Sequence, residues 1–130
     1  MILRKCILLI DDDEDFTHIA KFIFEQDANW KVLTASNGKE GIAIAESEQP
    51  DVILLDVVMP ELDGFAVYKL LKNNLFTCTI PIVFVSARAF IVEIVKSQIS
   101  ENVLVITKPF DLFALPERLN ELCSEGTVVR

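Results

Sequence analysis

One histidine, His18, and three cysteines, Cys6, Cys78 and Cys123, are all the chain offers a soft metal. None of the cysteines lies near another or near His18, so there is no CxxC pair and no Cys/His spacing for zinc. The cysteine number is odd, which suits three inert thiols in a reducing cytosol. Positive charge is also scarce: 12 Lys and Arg face 20 Asp and Glu, a net charge of -8. That balance argues against nucleic acid as a direct ligand, because a phosphate backbone needs a basic footprint. The acidity suits cation binding, or solubility alone. No apolar run approaches the roughly 20 residues that span a membrane. Arg4-Lys5 is followed by only five apolar residues before three aspartates, which is not a secretory leader. A cytoplasmic location with no membrane contact is the expectation.

What is abundant is apolar. Hydrophobic residues make up 52% of 130 residues, and the mean hydropathy is positive. That is high for one small domain. A domain of this length buries about 65–70% of its unfolded surface, and the excess leaves apolar surface for a partner.

The apolar residues fall into an alternating order. Cys6 to Ile10 is a continuous apolar run and reads as a strand buried on both faces. It ends at Asp11-Asp12-Asp13. Asp15 is placed to cap a helix carrying Phe16, Ile19, Ala20 and Ile23. Lys31 to Ala35 reads as a short strand, closed by Ser36-Asn37-Gly38. A helix over Lys39 to Ser47 follows, with Gly41, Ile44 and Ala45 on one stripe, and Pro50 stops it. Val52 to Leu55 is the third strand. It runs into Asp56 and a sharp turn through Met59-Pro60 and Asp63-Gly64. A helix with Val67, Leu70 and Leu71 extends to about Asn73. Ile80 to Val85 is the fourth strand, with Pro81 near its start, where a missing donor is tolerated. A helix from about Ala89 to Ser100 and a strand from Val103 to Ile106 follow. The last helix carries Leu112, Leu115, Leu119 and Leu122, with Pro116 in its first turn. The expected boundaries are one domain over 1–124 and a tail over 125–130. Five β-α repeats mean an α/β, doubly wound (βα)5 fold with a five-stranded parallel sheet, order 2-1-3-4-5.

In a parallel sheet all C-terminal strand ends share one edge, where ligands of open α/β sheets bind. Strand 1 delivers Asp11 and Asp12 there, strand 3 Asp56, strand 4 Ser86 and strand 5 Lys108. Each residue alone has a plainer explanation. The aspartates could mark a solvated helix start, Asp56 and Ser86 ordinary turns, and Lys108 a surface lysine. Jointly, four strands end in the groups that one phosphoryl-transfer site requires. Clustered carboxylates repel unless a cation holds them together. Oxygen ligands with no His or Cys select a hard divalent ion, and two or three carboxylates plus waters fit Mg²⁺. The apolar strand then delivers one carboxylate, Asp56, as a nucleophile for phosphorus. Lys108 and the Ser86 hydroxyl would hold the phosphoryl oxygens.

These residues resemble a known family. The stretches Ile-Leu-Leu-Ile-Asp11-Asp12-Asp13, Asp56-Val-Val-Met-Pro-Glu-Leu-Asp-Gly64, Val-Ser86-Ala87-Arg88 and Thr-Lys108-Pro109-Phe110 are similar to the receiver domain of bacterial two-component response regulators. That family has the flavodoxin-like fold and includes the chemotaxis regulators. The likeness covers about Lys5 to Cys123, with matching spacings of 45 positions from Asp11 to Asp56 and 22 from Ser86 to Lys108. It implies that Asp56 is the phosphoacceptor, forming 4-aspartylphosphate. It implies Asp12 as a direct Mg²⁺ ligand, Asp11 acting through water, and the backbone carbonyl of Val58 as the third protein ligand. Lys108 would pair with the phosphoryl group and Ser86 would be the switch hydroxyl. Asp13 matches no ligand position and falls in the loop or helix start. The donor would be a histidine kinase or phosphotransfer protein. With no output domain after the last helix, the chain reads as a stand-alone receiver that acts on an unknown downstream protein.

One position departs from the pattern. The family carries Tyr or Phe three residues before the lysine, and here that residue is Val105. The fourth helix, Phe90-Ile-Val-Glu-Ile-Val-Lys-Ser-Gln-Ile99, is apolar on more than one stripe. It is either deeply packed or part of a homodimer or partner interface along helix 4, strand 5 and helix 5. Enzymes are disfavoured: phosphatases of the haloacid dehalogenase type need a second acid two residues after the nucleophile, where Val58 stands. A flavin or nucleotide module would want a Ser/Thr/Gly phosphate loop where the three aspartates are. The remaining alternative is a receiver-fold interaction module that works without phosphorylation.

Overall fold

The computed structural model describes residues 4–27, 29–88, 90–99, 103–107 and 112–125, with side chains to Glu121. The expected contributions of Lys108, Pro109 and Phe110, the side chains of Leu122 and Cys123, and all of the expected 125–130 tail but Glu125, which ends the last helix, lie outside these. Ten elements alternate: β1 (Lys5–Ile10), α1 (Glu14–Glu25), β2 (Trp30–Ala35), α2 (Gly38–Glu48), β3 (Val52–Asp56), α3 (Gly64–Lys72), β4 (Ile82–Ser86), α4 (Ile91–Gln98), β5 (Val105–Thr107) and α5 (Leu115–Glu125). The five strands form one parallel sheet in the expected order 2-1-3-4-5, one of the few that right-handed β-α crossovers allow.

The continuous apolar runs are explained by two cores, one on each face of the sheet. Successive side chains point to opposite faces. Leu8, Ile10, Ile53, Leu55, Ile82 and Phe84 therefore join one core, with Val67, Leu71, Ile91 and Val95 from α3 and α4. Ile7, Leu9, Val52, Leu54, Val83 and Val85 join the other, with Ala20 and Phe24 from α1 and Leu115 and Leu119 from α5. A sheet covered on both sides has no polar face to alternate with.

Several boundaries and faces differ from the sequence expectation, among them β5, which spans Val105–Thr107 and not Val103 to Ile106. Asp13, not Asp15, caps α1: its carboxylate accepts from the Phe16 amide at 3.1 Å. The buried stripe of α1 is Thr17, Ala20, Ile23 and Phe24, whereas Ile19 is 53% exposed. Phe24 meets the fully buried Trp30 edge to face at 5.3 Å, and that contact sets the rotational phase of the helix. Leu70 of α3 is likewise exposed, because Val67 and Leu71 take the inward positions. β4 begins at Ile82 rather than Ile80. Pro81, which has no N–H, contributes its carbonyl to the Ile53 amide at 2.9 Å. The chain between α3 and β4 is held by side chains. Thr77, fully buried, donates to the Leu71 carbonyl at 2.6 Å, and Lys72 Nζ donates to the Cys78 and Ile80 carbonyls. Burial pushes the Lys72 ammonium below its usual pKa. Pro116 is the second residue of α5, within its first turn.

Candidate functional site

The strand register brings the expected residues to one edge. Ile10 pairs with Leu55, so Asp11 and Asp56 lie one step beyond that pair on adjacent strands. Asp56 pairs with Val85, and Ser86 pairs with Thr107. The position after Thr107 is Lys108, which lies outside the described residues. Asp11, Asp56 and Ser86 are 3%, 7% and 1% exposed, so three polar groups are buried at the end of an apolar sheet. Asp12 is exposed at the rim. Carboxylate oxygens of Asp11, Asp12 and Asp56 all lie within 4.8 Å of one another. Such a set fits a hard cation by its donor chemistry: three oxygen donors, no sulfur or imidazole, and room for water on the side of Asp12. The structure thus brings together every metal-site carboxylate that the sequence suggested. Val58 lies in the turn beyond β3, with a side chain 54% exposed.

The loops around these residues are built to hold them. The Asp13 amide donates to Asp11 Oδ1 at 2.9 Å, which fixes the Asp11 carboxylate against the start of α1. Beyond β3 the Val57 amide continues the ladder to the Val85 carbonyl at 3.0 Å. The Gly64 amide then donates back to the Val57 carbonyl at 2.8 Å. A Cβ on Gly64 would collide with the backbone oxygen of Asp56 and the Cα of Val57, so only glycine allows α3 to start this close to the end of β3. Asp63 caps that helix, accepting from the Ala66 amide at 2.9 Å. Met59 turns inward at 7% exposed. Sequence reasoning missed Glu61, whose φ of 66° puts it in the left-handed region. The Leu62 amide donates to the Pro60 carbonyl at 2.8 Å around it, a three-residue turn. A glutamate carries no signal for that conformation, so nothing in the sequence marked it.

On the other side, the Ser86 hydroxyl oxygen accepts from the Arg88 amide at 3.1 Å. It thereby sits at the head of the connection to α4. Val105, expected where an aromatic ring is usual, is half-buried and packs against the first core.

The sequence pattern of the response regulator receiver domain matches residues 7–120. The chain belongs to this family. It is 32% identical over 114 residues to protein PilH of Pseudomonas aeruginosa, covering 88% of this chain and 93% of that protein. It is 34% identical over 116 residues to the transcriptional regulator RpaA of Synechocystis, covering 89% of this chain and 48% of that protein. A 40% identical match to the regulatory protein PhoP of Bacillus subtilis covers 55% of this chain and 30% of that protein. The chain thus spans less than half the length of these last two relatives, and nearly the full length of PilH. Among solved structures, a Francisella response regulator receiver domain superposes with a TM-score of 0.79 at 27% identity, covering 95% of this chain and 99% of that one. The chemotaxis protein CheY4 of Vibrio cholerae gives 0.77 at 26% identity, covering 91% and 98%. Among the described residues no helix is long and apolar enough to cross a membrane.

Proposed function

We propose that this receiver domain takes a phosphoryl group onto Asp56 from a phosphohistidine of a histidine kinase or phosphotransfer protein. The observation that carries the reading is the meeting of the Asp11, Asp12 and Asp56 carboxylate oxygens within 4.8 Å at the edge of the sheet. An Asp56 oxygen attacks phosphorus, the P–N bond to the donor imidazole breaks, and the departing nitrogen keeps its electron pair and takes up a proton. The product is an acyl phosphate on Asp56. Asp11, Asp12, Asp56 and the Val58 carbonyl would hold Mg²⁺. That ion would neutralise the carboxylates and let an anionic donor approach Asp56. Lys108 would pair with the transferred group and the Ser86 hydroxyl would donate to one of its oxygens. The domain acts as an acceptor and not as a turnover phosphatase, in the cytoplasm. Its output passes through protein contacts on the face of helix 4, strand 5 and helix 5. There Phe90 is exposed, and Ile94 and Val105 are only partly covered. Only Ile91 and Val95 of α4 are fully packed, so the helix is not buried all round.

Intact-mass spectrometry after incubation with Mg²⁺ and acetyl phosphate tests this. Wild type is expected to gain one phosphoryl group and Asp56→Ala none. Equal gain by both would place the acceptor elsewhere. Turnover of p-nitrophenyl phosphate would favour an enzyme.

A further inference from the structure

The edge of the sheet opposite the carboxylates carries the most exposed large apolar side chain among the described residues. Leu75 is 93% exposed, and its neighbour Phe76 is 71% exposed. Both lie in the turn between α3 and β4, at the N-terminal end of β4. One exposed apolar residue is ordinary, but two adjacent ones on a braced turn form a patch. The bracing is dense. Asn74 Oδ1 accepts from the Phe76 amide at 2.8 Å, and the Asn74 carbonyl accepts from the Thr77 and Cys78 amides at 3.1 and 2.8 Å. Asn74 Nδ2 donates across to Glu46 Oε1 of α2 at 2.9 Å. Gln49, at the end of α2, donates from Nε2 to the Phe76 carbonyl at 2.6 Å. It does so with φ at 50°, the left-handed region where a helix end favours glycine. That strain is held by the same turn it braces. Leu75 and Phe76 are therefore presented on a fixed backbone, and little ordering entropy remains to be lost on binding.

We propose that this turn is a self-association surface, on which Leu75 and Phe76 pack against the same two residues of a second copy across a two-fold axis. The charges around the turn favour a second copy as the occupant. The chain carries a net charge of -8, so two copies repel over most of their surface. The two helix ends that flank the turn are balanced instead. The last turn of α2 carries Glu46 and Glu48 and no basic residue, and the last turn of α3 carries Lys69 and Lys72. A two-fold axis through the turn lays the α3 end of one copy on the α2 end of the other, so opposite charges meet twice. A lysine brought to the α2 end also answers the negative pole of that helix, which its own last turn leaves without a cation. The apolar pair supplies the affinity, and the charges select the register. Two apolar residues per copy make a contact smaller than the roughly 1,200 Å² at the low end of stable interfaces, so the pairing is weak and depends on concentration. It needs no phosphoryl group. It leaves the carboxylate edge and the α4 face of both copies uncovered.

Sedimentation equilibrium of the unmodified full chain tests this, at concentrations up to about 1 mM, the weak end for specific association. Wild type should pass from monomer to dimer across that range. Phe76→Ser should raise the dissociation constant at least about tenfold, the effect of removing a central apolar anchor. Leu75→Ser is a second, independent probe and should act in the same direction. Both side chains face water, so the fold does not depend on them. Lys69→Glu should weaken the dimer about fivefold by setting like charges against the α2 end. Phe22→Ser, which removes an equally large exposed ring from α1, should change nothing. A wild type that stays monomeric throughout overturns the proposal. So does a dimer unaffected by both Phe76→Ser and Leu75→Ser, or one lost instead in Phe90→Ser, which would lie on the α4 face. A dimer weakened by the serine variants and unchanged by Lys69→Glu overturns the two-fold arrangement.

Discussion

The half of the molecule from β1 to α3 and the half from β4 to α5 differ in strand pairing and in helix capping. In the first half β1 and β2 pair over six residues, and β3 is buried along its whole length. All three helices there carry side-chain caps. In the second half β4 and β5 pair over three residues, β5 is only partly buried, and α4 has no cap. The carboxylates Asp11, Asp12 and Asp56 come from the first half, and Ser86 comes from the second. A cluster of like charges needs fixed positions, since small displacements change repulsion strongly at low dielectric. A group that responds to a ligand needs the opposite, a local structure that opens at modest cost.

The largest effects expected bear on the core that both halves share. Phe84 is fully buried and packs its ring against Phe65 and Tyr68 at 5.6 and 5.3 Å. Phe84→Ala should cost about 3–5 kcal/mol in denaturant unfolding. It should also reduce cooperativity if the two halves are separable units. Gly64→Ala comes next. Its Cβ meets backbone at Asp56 and Val57, which cannot move aside as a flexible side chain would. A loss of about 1–3 kcal/mol is expected, together with slower modification of Asp56 by acetyl phosphate. Full stability with full labelling would show that the α3 start is looser than the first half requires. The caps distinguish the halves directly. Asp13→Ala and Asp63→Ala should each cost about 1 kcal/mol, whereas Phe90→Ala at the exposed start of α4 should stay within about 0.5 kcal/mol. Similar losses at all three positions would erase the distinction. The smallest effect is on α1. Ile19→Ser should change stability by no more than about 0.5 kcal/mol, while Ile23→Ser, four residues further along the helix, should be several times more costly.

Much of this was legible in the residues because the signals were local. Pure apolar runs at 6–10 and 52–55 specified strands covered on both faces. A β-α repeat leaves few topologies, so the order 2-1-3-4-5 followed with the strand-end residues attached. That placed Asp11, Asp12, Asp56 and Ser86 on one edge before any distance was known. Helix phase was less legible: Ile19 and Ile23 look equally apolar, and only the Phe24–Trp30 contact shows which of them turns inward. Asp13 and Asp15 are equally good caps on paper. The Asp13 amide is already committed to the Asp11 carboxylate, which puts Asp13, and not Asp15, at the helix boundary.

By itself the sequence determined the repeat, the strand ends and the chemistry carried there, because these depend on residue type and on the period of two or 3.6. Tertiary structure alone decided that three carboxylates approach within 4.8 Å, that Gly64 lies against the Asp56 backbone, and that the Ser86 hydroxyl lies buried on the same edge as Asp56. Those are distances between segments far apart in the chain. They are set by the register and packing of the whole sheet, and no local pattern encodes them.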